Sequence, residues 1–336
     1  MCFSRALGII LPEWLVERGI GESRAALVDN GDIIAARIEL EGAIPAGTVI
    51  EARLIDLGAQ GRNGVARATG GTEYLLPRLP REITEGQLLC IEVTRSALPG
   101  IEPWKRPLAQ ATRNGPTRGP SLAGQLRKGG EQVRELSIPA AVDELAGAGW
   151  NDLLEEARSG HADFAGGSLG LFPTPAMTLI DVDGQLPPDD LAVLGAREAA
   201  QAIHRLDIGG SIGIDLPTSS KSARQAAAEA IDAALPQPFE RTAVNGFGLI
   251  QIVRPRRRAS LIELAQDRAP FEARALLRRT AFEAAGAKTL VTHPAVLAVL
   301  EQHDEWLAQL SRQIGGSAGM RGDATLPMSG GHAEKA

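Results

Sequence analysis

With 336 residues, a net charge of −6 and 44% hydrophobic residues, the chain is an ordinary acidic globular sequence long enough for two or three domains. That balance argues against wholesale coating of nucleic acid but leaves room for a local basic groove, and aromatics at 4% keep any base-stacking surface sparse. Two distant cysteines, Cys2 and Cys90, exclude a cysteine zinc site and a disulfide framework and fit a reducing cytoplasm, while no window approaches the length of a membrane span.

The opening "RALGIILPEWLVERGIG" has a short apolar run broken by Pro12 and Glu13 and lacks a small-residue cleavage site, so it reads as the start of the fold. "SRAALVDNGDIIAARIEL" (23–40) is two alternating stretches around Asn30-Gly31, the signature of a two-residue β-hairpin turn. From 45 to 96 the pattern stays β. "GTVIEARLIDLG" places Ile50, Ala52 and Leu54 on one face, Gly70-Gly71 marks a turn, and "LLCIEVTR" alternates again, so a small barrel or sandwich is expected. Residues 105–135 hold three prolines, five glycines and seven basic against two acidic residues. They read as a mobile linker, either in contact with phosphate or merely a solvated spacer.

An α/β region follows. "AMTLIDVDG" predicts a strand, "LAVLGAREAAQAIHRLD" a helix with Asp189 or Asp190 as its cap, and "IGGSIGIDLP" a second strand parallel to the first. "SARQAAAEAIDAAL" is a helix and "GFGLIQIVRP" a further strand. Beyond 270 come a helix, the strand "KTLVTH", a long helix over 295–313 and a Gly-rich tail.

The first strand is apolar yet carries Asp181 and Asp183, which alternation sends to one side. The second ends in Asp215. In a parallel pair both strands end at one edge, where open α/β sheets bind ligands, so Asp181 and Asp215 are candidates for holding a divalent cation. The alternative is that each Asp accepts backbone N–H groups in a turn or caps a helix. Arg254, Arg256, Arg257 and Arg258 crowd another strand end, and alternation would project Arg254, Arg256 and Arg258 to one side as a phosphate-binding fork or a solvated basic turn. Lys221 and Arg224, at a helix start, either touch RNA or are simply exposed. His204 and His293 read as structural, and "GGSLG" lacks the spacing of a dinucleotide site.

"LIDVDG", then "LDIGGSIGIDLP", then "NGFGLIQIVRPRRRASL" resemble, in order and spacing, the catalytic core of the ribonuclease E/G family. That family has a strand ending Ile-Asp-(Ile/Val)-Asn, then Arg-Asp-(Leu/Ile)-Gly-Gly before a strand with Ile-Asp, then a Phe-Gly-Leu strand with a Thr-Arg-Lys-Arg-like tail. The stretches from "SRAALVDNGDI" to "EGQLLCIEVTR" resemble its opening hairpin and oligonucleotide-binding (OB) barrel, and the tail from "AKTLVTH" resembles its C-terminal domain.

The resemblance implies an endoribonuclease that cuts single-stranded RNA to 5′-phosphate and 3′-hydroxyl products. It implies Mg²⁺, with Mn²⁺ as a substitute, on Asp181 and Asp215, and RNA contacts from Arg254, Arg256, Arg258, Phe247, Tyr74, Arg95, Lys105 and Arg224. The family's Asn that orients the first Asp corresponds to Asp183. Asn donates to a carboxylate whereas ionised Asp only accepts, so Asp183 is a further ligand, is protonated, or weakens the site. The zinc-binding Cys-Pro-x-Cys link is missing after Arg258, so no zinc and a monomer or homodimer are expected. The pocket that senses a 5′-monophosphate is not found between 107 and 165. Where the family's barrel offers phenylalanines, this chain has Val65 and Tyr74, with Trp104 as a replacement stacker.

The expected fold is therefore multidomain α/β. It comprises an N-terminal hairpin segment (1–44), an OB-type barrel (45–104), a basic Gly/Pro-rich linker with a short helical segment (105–160), a deoxyribonuclease-I-like or ribonuclease-H-like catalytic α/β domain (161–268) and a small C-terminal α/β domain (269–336). The expected setting is cytoplasmic, with single-stranded RNA as partner and no membrane. The alternative function is an inactive RNA-binding or ribosome-associated descendant of the same family.

Overall fold

A computed structural model describes residues 11–58, 61–99 and 105–336; Cys2 and Trp104 lie outside them. The chain opens with β1 (Glu13–Arg18), β2 (Glu22–Asp29) and β3 (Asp32–Leu40). Asn30 and Gly31 take the positive φ angles (51° and 96°) that the tight β2–β3 turn requires.

The chain then builds a barrel from β4 (Val49–Leu57), β5 (Gly64–Ala68), β6 (Glu73–Leu76), β7 (Leu88–Arg95) and β8 (Leu108–Thr112). These five strands close in the order β4-β5-β6-β8-β7, consistent with an OB-like barrel. The barrel does not stop at residue 104 as expected. Its last strand comes from the segment read as a linker, because Ala109 and Ala111 alternate inward and β8 satisfies the edges of both β6 and β7.

The rest of that segment is also ordered. Helix α1 (Leu122–Lys128), N-capped by Ser121, buries Leu122, Ala123 and Leu126 with Trp14, Val16 and Ala35. Strand β9 (Val133–Leu136) pairs in parallel with β1, giving the sheet β3-β2-β1-β9. Helices α2 (Glu144–Gly147) and α3 (Trp150–Ser159) follow. Glycine and proline set the connections here, while a few apolar residues supply the docking that composition alone conceals.

The next sheet is mixed, in the order β10 (His161–Phe164), β11 (Gly167–Pro173), β12 (Thr178–Gly184), β13 (Gly210–Asp215), β15 (Leu249–Arg254), β14 (Glu240–Arg241). Helix α4 (Pro188–Arg205) connects β12 to β13, and α5 (Lys221–Ala234) follows β13. Helix α4 begins at Pro187 without a side-chain cap. Asp189, expected to cap it, instead accepts the Ser220 backbone N–H at 2.8 Å, and Ser220 caps α5. Ala192, Ala196, Ala199 and Ala200 of α4 are fully buried, and a Cβ on Gly195 would stand 2.3 Å from Val182 Cγ1. Such small residues let the helix lie close on β12 while its other side meets β3, so one continuous core joins both sheets.

Helices α6 (Leu261–Gln266) and α7 (Arg268–Ala281) lead to a three-stranded sheet of β16 (Lys288–Thr292), β17 (Ala318–Gly322) and β18 (His332–Lys335). The single helix expected over 295–313 is two, α8 (Pro294–Glu301) and α9 (Asp304–Ile314), interrupted at Gln302-His303. Among the described residues no helix is long and apolar enough to cross a membrane.

Arg278 of α7 donates to both carboxylate oxygens of Glu17 at 3.0 Å and to both of Asp143, and Arg24 donates to Glu17 and Glu22 at 2.5 and 2.7 Å. Arg274 donates to Glu22 at 2.7 Å. Glu17 and Arg24 are 0% and 1% exposed, so these charges are held by one another rather than by water. Burial alone would raise the Glu22 pKa, but Arg24 and Arg274 more than offset it and hold the carboxyl below its ordinary value. Glu17→Ala should therefore cost about 3–5 kcal/mol in urea unfolding, because Arg24 and Arg278 lose their shared partner. Glu334→Gln, which loosens the exposed pair with Arg321, should cost at most about 1 kcal/mol. Equal effects would contradict this account.

Candidate acidic site on the open sheet face

Along β12, Thr178, Ile180 and Val182 are buried under the helices while Leu179, Asp181 and Asp183 face outward. Along β13, Ile212 and Ile214 are buried and Asp215 faces outward at the strand end. The two strands run parallel with Asp181 opposite Asp215, so their Cα atoms are about 4.8 Å apart and both carboxyls rise from one face. Asp183 lies one step further along β12 on the same face.

No salt bridge connects any of the three to a cation among the described residues. Burial, then Asp183 and Asp215, raise the Asp181 pKa above the ordinary carboxylate value, against a hydrogen bond from the Val182 backbone. A carboxylate pair of this kind has the charge to attract a cation.

Apolar side chains flank the acids. Leu179, Met177 and Leu249 converge over Gly213, where a Cβ would meet them at 3.0, 3.4 and 3.8 Å. The Phe172 ring lies over Gly170, the residue of β11 opposite Asp181, and is 54% exposed. Phe247 is 85% exposed in the turn entering β15, whose first residue Leu249 pairs with Asp215. That turn is built by Asn245, whose Oδ1 accepts the Phe247 and Leu249 backbone N–H groups at 2.9 and 3.1 Å. It also needs glycine at 248, where φ is 96° and a Cβ would fall 2.0 Å from the Leu216 carbonyl. Arg224, in the first turns of α5, donates to the Ser219 carbonyl and stands at this same edge, after Asp215.

Other expected RNA contacts are placed elsewhere. Strand β15 runs antiparallel to β13, so Arg254 pairs with Gly210, at the opposite end of β13 from Asp215 and about 17 Å away. The Arg254 guanidinium lies on the helix-covered side, donating to the Ile203 and Ile208 carbonyls. Arg256 is paired with Glu263, and Arg258 bonds Asp207 and Gln125. None of these three sits beside the acids. Reversal of the strand, invisible in a pattern of alternation, is the reason.

Tyr74 is 1% exposed in the barrel core with Leu54, Leu76 and Ile91, so its ring cannot receive a base; burial raises its pKa. Val65 is likewise buried. Arg95 is buried and donates to the Arg106 carbonyl at 2.6 Å. Lys105 is half-buried and donates to the Pro175 carbonyl at 3.4 Å, in the turn before β12.

Sequence reasoning missed Phe172, Leu179 and the exposed pair His161–Asp163, joined at 3.1 Å. His161 lies opposite Gly170, which lies opposite Asp181, so it shares the acidic face two strands away. The readable signal was alternation in "HADFAGGSLGLFP" about Gly166, a hairpin turn residue with φ 98°.

Among the described residues, no three His, Cys, Asp or Glu side chains stand close enough together to hold a metal. Asp181 and Asp215 are the two candidate oxygen donors that the strand register sets opposite each other. Two hard oxygen donors suit Mg²⁺ or Mn²⁺, which keep water and substrate phosphate as remaining ligands. No family model matches the chain, and no curated protein matches it significantly.

Two outcomes follow from these charges. Asp215→Asn should stabilise the metal-free protein by roughly 0.2–1 kcal/mol, since like charges on directly opposed strand residues repel, and should remove any Mg²⁺-dependent rise in Tm. Thermal unfolding with and without Mg²⁺ checks both. His204 is held down to about 4 from its usual 6.5 by burial and by the Arg254 and Arg37 cations. A depressed histidine leaves the folded protein neutral while the unfolded chain protonates. Stability is therefore complete above pH 6.5 and declines towards pH 4, by roughly 3 kcal/mol in all. His204→Gln should flatten that part of the stability–pH curve; an unchanged slope would count against it.

Proposed function

We propose that the chain is a Mg²⁺-dependent endoribonuclease that cuts single-stranded RNA, leaving 5′-phosphate and 3′-hydroxyl ends. The observation that carries the reading is the opposition of Asp181 and Asp215 on the open face of the sheet, with exposed phenylalanines to either side. Its support from sequence is the resemblance of the β12, β13 and β15 segments to the ribonuclease E/G core. In this reading the barrel is of the OB type and the sheet with α4 and α5 is the deoxyribonuclease-I-like catalytic domain.

Asp181 and Asp215 would hold the ion, which when bound neutralises charge on the scissile phosphate and activates a water molecule. Phe247 and Phe172 offer rings on which unpaired bases stack, a contact that tolerates any base. Arg224 and Lys221 place positive charge at the acid-bearing edge for backbone phosphates. Asp183 accepts protons or hydrogen bonds beside Asp181 but, when ionised, cannot donate to it as an Asn would. The barrel contributes through cations on its loops, where Arg62, Arg78 and Arg81 are exposed, rather than through Tyr74.

A second reading, an RNA-binding protein without catalysis, draws on the acid at 183 and on the two-carboxylate donor set. One experiment separates them: incubation of unstructured RNA with purified protein in Mg²⁺ or Mn²⁺. Cleavage is expected for the wild type, and a loss of about a hundredfold or more is expected for Asp181→Asn and Asp215→Asn with RNA binding retained. Wild-type protein that binds RNA yet leaves it intact in both metals, or an Asp215→Asn variant as active as wild type, would overturn the catalytic reading.

A further inference from the structure

The arginines that the strand reversal carries away from the acids gather around a space of their own. Arg254, Arg256, Arg257 and Arg258 meet Arg37 of β3 across a cavity of about 240 Å³, and among the described residues Asp207 is the one acid in its wall. Five cations thus face a volume somewhat smaller than a drug-sized ligand pocket, and suited to a small anion or to one group of a larger ligand.

The ion pairs formed inside the protein match only two of them. Glu263 serves Arg256, and Asp207 serves Arg258 at 3.3 Å. No salt bridge joins a carboxylate to Arg37, Arg254 or Arg257 among the described residues; Asp207 and Glu131 act on Arg37 only through space. The Arg37 guanidinium carbon stands over the Trp14 ring, 4.6 Å from the centroid, a cation–π contact that holds the side chain at the cavity wall without neutralising its charge. Arg254 uses Nη1 on two backbone carbonyls, which fixes the fork in place.

Burial and mutual repulsion pull Arg37 below its ordinary pKa, and burial does the same for Arg254, yet arginine keeps its charge. The same positive field helps to keep the neighbouring His204 neutral. Half-buried like charges are costly unless an anion joins them.

We infer that this cavity is a binding site for a phosphate group, held by Arg37, Arg254 and Arg257 and separate from the acidic site. Arginine forks match phosphate oxygens in pairs, and these three approach from different sides, Arg37 from β3 and Arg254 and Arg257 from the end of β15 and the loop after it, as a tetrahedral anion with oxygens on all sides requires. The inference goes beyond the nuclease reading and does not depend on it. The phosphate belongs either to a free small anion or to the backbone of a nucleic acid.

The test is titration of the full-length protein with inorganic phosphate, followed by calorimetry and by Tm. Saturable binding is expected in the wild type and, unchanged, in Asp215→Asn. Arg37→Gln with Arg254→Gln should weaken it by about tenfold or more. The Arg257 side chain is exposed, and its backbone carbonyl, not its side chain, accepts the Ser96 N–H, so Arg257→Gln serves where the double variant unfolds; it should weaken phosphate binding several-fold with the unfolding curve intact. An unstructured oligonucleotide with a 5′-hydroxyl then assigns the source. Displacement of phosphate by it points to a nucleic-acid backbone, and no displacement points to a free anion. No saturable phosphate binding, or equal affinity in wild type and Arg257→Gln, overturns the inference.

Discussion

The register between β12 and β13 is the constraint on which the candidate site depends. Side chains alternate along both strands, so a slip of one residue would turn Asp181 into the helix layer and bring Ile180 or Val182 out to water. Nothing about the acids themselves favours the observed pairing, since they repel. It is held from the other face. Ile180, Val182, Ile212 and Ile214 are all buried against α4 and its neighbours, and Gly195 lets the helix press on Val182. Packing on one side of the sheet thus sustains an electrostatic conflict on the other.

Charge is segregated along the same sheet. The parallel pair sends its acids to one end, and the antiparallel β15 carries its arginines to the other. Elsewhere the protein combines opposite charges instead. Glu17, Glu22 and Asp143 are matched by Arg24, Arg274 and Arg278 in a buried array that ties the first sheet to α7, over separations of more than 250 residues. The buried, paired charges hold elements together, whereas the acids at one end of the sheet and the arginines at the other are left partly unmatched by the protein itself.

Much of this was legible locally. Asn30-Gly31, the alternation in β12 and β13, and the alanine-rich periodicity of α4 each state their element within a few residues. The convergence of Asp181 and Asp215 was readable because strand, helix, strand gives a parallel pair. What stayed hidden was non-local. The direction of β15 decides where Arg254 goes, and no feature of "LIQIVRPRRR" states it. Tyr74 alternates correctly but on the inward parity, which depends on how the barrel closes. The segment 105–135 looked like a tether because its glycines and prolines outnumber its apolar residues, yet Ala109, Leu122 and Leu126 suffice to dock it.

The path of that segment also explains how the barrel is attached. Val49 and Thr117 exchange backbone hydrogen bonds at 3.0 Å in both directions, and Gly119 lies so close to Thr48 that a Cβ there would be 2.4 Å from its hydroxyl. The barrel's way in and way out are clasped side by side. Because its two ends meet, a shortcut between them would span only a hydrogen bond's width, and evolution could exchange, enlarge or discard this module as a cassette while the sheets beneath kept their wiring.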